Sequence, residues 1–183
     1  MKRKIIIVVS IILILLLLVL NNKNLLKLKY TTRYSEYVEK YAKEEQIDPL
    51  LIYAMIKQES NFNPKAVSNA GAMGLMQLMQ ETANEVAVNE VIEFKQEETL
   101  FDPEKNIQLG VKYFAGLKRQ FQNDEIALIA YNAGSGNTKK WLSDGTITIE
   151  EEKINIDKIP YSETKNYVTK ILKYYQRYKE IYS

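Results

Sequence analysis

The chain has 183 residues, with 25 Lys and Arg against 23 Asp and Glu, and the formal charge of +2 leaves no electrostatic footprint for nucleic acid. It contains no Cys and no His, which excludes a disulfide framework, a thiol nucleophile, a Ser–His–Asp triad and a zinc site of the usual kind. Any catalysis must therefore use carboxylates, Lys, Tyr or Ser, in one domain plus an appendage.

A basic stub, residues 1–4, precedes an apolar run at 5–20 that only Ser10 interrupts. The run is slightly short for a hydrocarbon core of about 30 Å, a gap that lysine snorkelling and local thinning can close. No A-x-A-like cleavage site follows it, so the pattern predicts an uncleaved signal-anchor: one transmembrane helix with the N-terminus in the cytoplasm. Lys23, Lys27, Lys29 and Arg33 on the far flank blur the charge bias. Residues 21–33 read as a polar, basic linker of at most about 47 Å when fully extended. The soluble domain is expected over 34–183.

Tyr34, Tyr37, Val38 and Tyr41 mark a first amphipathic helix. Asp48-Pro49 then supplies an N-cap and a first helical residue that needs no N–H partner. Leu51, Ile52 and Met55 line one face of the helix that follows, and Glu59 falls on that same face. A carboxyl against apolar neighbours loses hydration, which raises its pKa above the usual 4.3 or so and suits it to act as a general acid. The alternative is a helix-end glutamate that turns out to solvent. After Ser60, a proline and two glycines among Asn and Ser predict an irregular loop. In it, Gln77 either satisfies loop backbone or aims its amide at a ligand. A short helix is expected over 81–88, then an acidic surface excursion over 89–101.

Asp102-Pro103 repeats the Asp-Pro start, and Ile107, Gly110, Val111, Phe114, Leu117 and Phe121 continue at helical spacing, with Gly110 allowing close packing. A second core helix holds Ile126, Ile129, Ala130 and Ala133, carries Tyr131 and Asn132 in its last turn, and stops at Gly134-Ser135-Gly136. Residues 146–149 alternate too weakly to predict a strand. Ser162 is expected to cap a last helix whose buried side carries Tyr167, Val168, Ile171, Leu172 and Tyr175. Six or seven helices in this length make a compact all-α domain.

Four segments together resemble the catalytic domain of the soluble-type lytic transglycosylases, relatives of goose-type lysozyme: Glu59-Ser60, Gly74-Leu75-Met76-Gln77, Ala130-Tyr131-Asn132-Ala133-Gly134, and residues 159–168. Residues 106–113 look like the helix between the second and third of these, and the likeness covers roughly 36–178. The resemblance implies a lysozyme-like α domain with a glycan groove. The implied reaction cleaves the β-1,4 bond between N-acetylmuramic acid and N-acetylglucosamine in peptidoglycan, without water, leaving a 1,6-anhydro ring. Glu59 would be the sole catalytic carboxylate, first acid and then base, with the substrate's 2-acetamido group stabilising the cation. Ser60 would support the site, Met76 and Gln77 would line the groove, Tyr131 and Asn132 would flank Glu59, and Glu163 would lie near the peptide-bearing sugar. Each has a plainer reading: Ser60 and Asn132 as helix-end residues, Met76 as core, Tyr131 as a buried phenol, Glu163 as a partner for its helix dipole.

No cofactor or metal is implied. The resemblance implies glycan strands as partner and, through residues 5–20, the bacterial cytoplasmic membrane, with the catalytic domain facing the cell wall and an envelope-spanning machine as a candidate client. Two other functions compete. A hydrolytic muramidase needs a second carboxylate, for which Glu81, Glu85 and Asp102 are candidates. A non-catalytic peptidoglycan-binding scaffold would have no need of a buried acid.

Overall fold

The structure is a computed structural model that describes residues 2–20, 23–150 and 153–183. Helices α1 (Lys2–Leu20) and α2 (Lys23–Lys29) lead into α3 (Ser35–Glu44), α4 (Pro49–Glu59), α5 (Gln80–Asn89), α6 (Gln96–Phe101), α7 (Pro103–Phe121), α8 (Asp124–Ala133), α9 (Ser135–Ser143) and α10 (Ser162–Tyr182). A two-strand ribbon, β1 (Ile149–Glu150) against β2 (Lys153–Ile154), pairs antiparallel with Ile149 opposite Ile154.

The two Asp-Pro starts form as expected. Asp48 accepts the Leu50 N–H at 2.9 Å to open α4, and Asp102 accepts the Lys105 N–H at 2.8 Å to open α7. Helix α4 is more enclosed than an apolar stripe predicts: Leu51, Ile52, Tyr53, Ala54, Met55 and Ile56 are all buried. A helix apolar on every side is a core helix, and α10 packs along it while α3 covers another flank. The close approach expected at Gly110 is present, because a methyl group there would collide with the Met76 side chain.

Helix α4 stops at Glu59 without a glycine. Asn61 and Phe62 both adopt left-handed backbone, φ 48° and 63°, which turns the chain back over the helix end. For a bulky residue that conformation costs about 1–2 kcal/mol. The Phe62 ring is buried beside Tyr53, and burial of such a ring contributes about 1.5–3 kcal/mol, enough to hold the turn.

A smaller apolar cluster, Leu78, Ala83, Ala87, Leu100 and Leu109, joins α5 and α6 to one face of α7. Tyr113 and Tyr131 pack against both this cluster and the main core, so the two rings mark the seam between them.

Several expectations change. Among the described residues no helix is long and apolar enough to cross a membrane, so the transmembrane anchor over 5–20 is not supported. The apolar run over 5–20 extends about 24 Å as a helix at 1.5 Å per residue, against about 30 Å of hydrocarbon. Residues 21–22 lie outside the described set, but the rest of the supposed linker is ordered against the domain. It is helical over Lys23–Lys29, Tyr30 is buried, and Tyr182 and Tyr178 donate to the carbonyls of Tyr30 and Thr31 at 2.7 and 2.9 Å. Lys57, on α4, donates to the Lys29 carbonyl at 2.7 Å. The excursion at 89–101 contains α6. Gly134 ends α8 at φ 84°, yet the chain resumes at once as α9. Tyr161, not Ser162, occupies the N-cap position of α10, and no side chain caps that end.

Candidate active site

Glu59 is the last residue of α4, so its carboxyl leaves the core helix where the chain has just turned away. Tyr167, from α10, donates to its Oε1 at 2.6 Å. Loss of hydration raises the carboxyl and the tyrosine hydroxyl partly lowers it, and together they bring it from 4.5 to about 7. Burial also drives the Tyr167 and Tyr131 phenols well above their ordinary value, with the Glu59 charge adding to both. Glu59 is thus a carboxylic acid that keeps its proton to near neutrality and has one neutral donor on it.

The resemblance implies that Tyr131 flanks Glu59, and the Glu59 charge does act on its phenol, but the hydroxyl that donates to the carboxyl is that of Tyr167. The Tyr131 hydroxyl donates instead to the Met76 carbonyl at 2.9 Å, and its ring lies 5.2 Å from that of Tyr113. Tyr167 was legible only as a buried residue of the last helix.

The loop facing Glu59 is built from backbone. Ser60 Oγ donates to the Leu75 carbonyl at 2.8 Å, tying the end of α4 to the loop rather than addressing the carboxyl. Met76 is fully buried, its side chain packed over Gly110, so it is core and does not line a groove with its thioether. Gln77, at φ 48°, donates through Nε2 to the carbonyls of Ala66 and Gly74 at 3.1 and 2.9 Å. Both bonds use the amide NH2, which leaves Oε1 for a ligand.

Asn106, in the first turns of α7, went unnoticed as a site residue. It is fully buried; its Oδ1 accepts the Met76 N–H at 2.7 Å, and its Nδ2 donates to Leu100 O at 2.9 Å and Met73 O at 3.1 Å. Its amide presses so close to Gly74 (φ 78°) that a Cβ there would collide with it. One side chain therefore fixes both ends of the Gly74–Gln77 turn.

On the other flank, Thr164 donates to Asn132 Oδ1 at 2.7 Å. Asn132 and Glu163 are exposed and line a cleft of about 460 Å³ with Ala133, Pro160 and Tyr161. A second cleft, of about 340 Å³, is lined by Tyr113 and Glu85 among others. Of the three carboxylates considered as partners for Glu59, Asp102 is engaged in capping α7 and Glu81 is exposed on α5. Glu85 alone acts on the seam, raising the Tyr113 phenol after burial has done so. Among the described residues no group of three or more Asp, Glu, His or Cys could hold a metal ion.

This arrangement can donate a proton near pH 7 and take one back. It also has a sign for stability. The unfolded chain releases the Glu59 proton near 4.5 and the folded chain near 7, so this residue's contribution declines as pH rises through that window.

Comparison with known proteins agrees with this constellation. The profile described as the transglycosylase SLT domain matches residues 36–153. The soluble lytic murein transglycosylase of Escherichia coli K12 is 35% identical over 157 residues, 84% of this chain and 24% of that protein. Membrane-bound lytic murein transglycosylase F of Pseudomonas putida W619 is 37% identical over 134 residues, 69% of this chain and 25% of that protein. Among solved structures, the 70 kDa soluble lytic transglycosylase of E. coli superposes with a TM-score of 0.78 at 33% identity, covering 85% of this chain and 25% of the other. An inactive Glu-to-Gln mutant of the lytic transglycosylase Slt of Pseudomonas aeruginosa gives 0.77, also at 33% identity, with the same coverage. The chain spans about a quarter of the length of these relatives.

Proposed function

Because the chain belongs to the SLT-domain transglycosylases, we propose that it is a peptidoglycan lytic transglycosylase in which Glu59 alone does the proton chemistry. The observation that carries this reading is the Glu59 carboxyl itself, half-buried at the end of α4, held by Tyr167 and poised near 7. Protonated Glu59 gives its proton to the glycosidic oxygen as the bond to C1 of the muramic acid breaks. The neighbouring 2-acetamido oxygen stabilises the cation at C1. Glu59, now a carboxylate, removes the proton of the C6 hydroxyl as O6 closes on C1, which forms the 1,6-anhydro ring and restores the acid. Water is not consumed, so no second carboxylate is required. The inactive Glu-to-Gln form of the Pseudomonas relative supports a glutamate in this role.

Mass spectrometry of purified peptidoglycan digested with this chain tests the reading. Anhydro-muramic ends are expected. Reducing ends would instead make the chain a muramidase, with Glu85 the first carboxylate to examine.

The pH profile follows from the same carboxyl. Cleavage needs the protonated acid, so activity falls as pH rises through about 7. Tyr167→Phe removes a donor that lowers the pKa, so the alkaline limb moves to higher pH while the maximum rate drops. A limb that stays put or moves down refutes the Tyr167 assignment.

A lipid layer is the natural cover for α1, whose described apolar side chains are all exposed. The full chain should float with phospholipid vesicles, and Ile12→Glu with Leu15→Glu should not; equal flotation removes this tether from the reading.

A further inference from the structure

Of the described aromatic side chains, Tyr161 alone is exposed, at 51%. Its ring is nonetheless fixed. It meets the buried Trp141 edge to face, with centroids 4.9 Å apart and planes at 89°, and its backbone follows Pro160 into the N-cap position of α10. Helix α10 also carries Tyr167, so the ring and the phenol that holds Glu59 are rigidly related. Six residues at about 1.5 Å per residue separate their backbone positions by about 9 Å along the helix axis.

The surroundings of this ring match one kind of ligand. A pyranose has an apolar face of axial C–H bonds and an equatorial rim of hydroxyl and amide groups. Tyr161 offers a flat apolar surface, and the same cleft is lined by the Asn132 amide and the Glu163 carboxylate. An apolar wall with a few placed polar groups is the usual build of a small-ligand site. Asn132 is itself held by the Thr164 hydroxyl, so its position is set before a ligand arrives.

We propose that Tyr161 is a saccharide platform: an N-acetylhexosamine ring of the glycan strand stacks on its face, with Asn132 and Glu163 taking the polar substituents at the ring's edge. This rests on the glycan-cleaving reading above and adds to it a residue that sets where the strand lies relative to Glu59. Tyr161 does no chemistry in this assignment. It binds, and so its loss should weaken binding more than turnover.

The composition supplies a reporter. Trp141 is the only tryptophan in the chain, and it packs against the proposed platform. In Glu59→Gln, which binds without cleaving, a tetrasaccharide of alternating N-acetylglucosamine and N-acetylmuramic acid should shift Trp141 emission saturably. Adding Tyr161→Ala should weaken binding about tenfold, the scale of one aromatic contact, and abolish the emission response. Adding Tyr161→Phe should preserve both. In the active chain Tyr161→Ala should raise KM with kcat largely kept, and a thermal melt verifies that the variant is folded. Unchanged affinity and KM in folded Tyr161→Ala overturn the platform while leaving the cleavage reading intact. Neither binding nor cleavage by the unaltered chain overturns the cleavage reading, and the platform falls with it.

Discussion

Glu59→Gln lowers peptidoglycan cleavage by about 10³-fold or more, with the fold intact. The expected size follows from the loss of a positioned general acid, usually worth 10²–10⁴ in rate, where the proposed reaction also uses the same group as base in its second half. No neighbouring carboxylate stands ready to replace it: Asp102 caps α7, and Glu81 is exposed on α5. The amide is nearly isosteric and can still accept from Tyr167, so the helix end and its turn stay in place. Stability should even gain at alkaline pH, because a desolvated carboxyl that ionises near 7 has been replaced by a group that never ionises. Release of anhydro-muramic products over time measures the first effect, and thermal melts across pH measure the second. Activity within tenfold of the unaltered chain would show that another group moves the proton.

The second large effect is expected far from any ionisable group. Asn106→Leu keeps the volume of the side chain and deletes three hydrogen bonds at once. It leaves the Met76 N–H and the Leu100 carbonyl without that partner among buried residues, while the half-buried Met73 carbonyl keeps the Leu78 N–H. Stranding a buried polar group costs about 1–3 kcal/mol, so the sum is on the order of 3–5 kcal/mol, a large share of the roughly 5–15 kcal/mol that holds a domain together. Chemical denaturation should show it as a lower midpoint at unchanged slope. Activity should fall even where the variant remains folded, because the Met76 carbonyl that receives Tyr131 shifts with the turn. A loss below about 1 kcal/mol would mean that the turn is held by other contacts.

Much of this was readable from residues alone, and the failures have physical causes. The starts of α4 and α7 were legible because an Asp-Pro pair constrains the backbone locally, whatever packs around it. Gly110 was legible because a glycine within an apolar helical stripe has few uses other than close approach. Glu59 stood out because its helical phase conflicts with its polarity. The partner on that carboxyl was not legible. Tyr131 and Tyr167 are both tyrosines on core-facing helices, and only the crossing of α10 over α4 decides which hydroxyl arrives; Tyr167 is 108 residues away in sequence. Asn106 looked like a polar residue near a helix start, a place where asparagine is ordinarily solvated. Its burial depends on the Gly74–Gln77 turn folding over it. Helix α9 was missed because Gly134-Ser135-Gly136 signals an end, and Gly134 does end α8, but nothing in a glycine forbids the next residue from starting again. The linker was misread for a related reason: its lysines suggested solvent, while one tyrosine, Tyr30, carries enough apolar surface to dock the segment onto α10.

A desolvated acid near 7 in a chain without histidine or cysteine makes this protein unusually simple to follow by proton counting. Those two absent side chains are the ones that ordinarily titrate around neutrality, and Glu59 stands in their place. A glycan whose bridging oxygen accepts a hydrogen bond from Glu59 stabilises the protonated form, so above pH 7 binding must draw up to one proton from the buffer. Calorimetric titrations in buffers of different ionisation enthalpy would read that uptake directly, and it would disappear in Glu59→Gln.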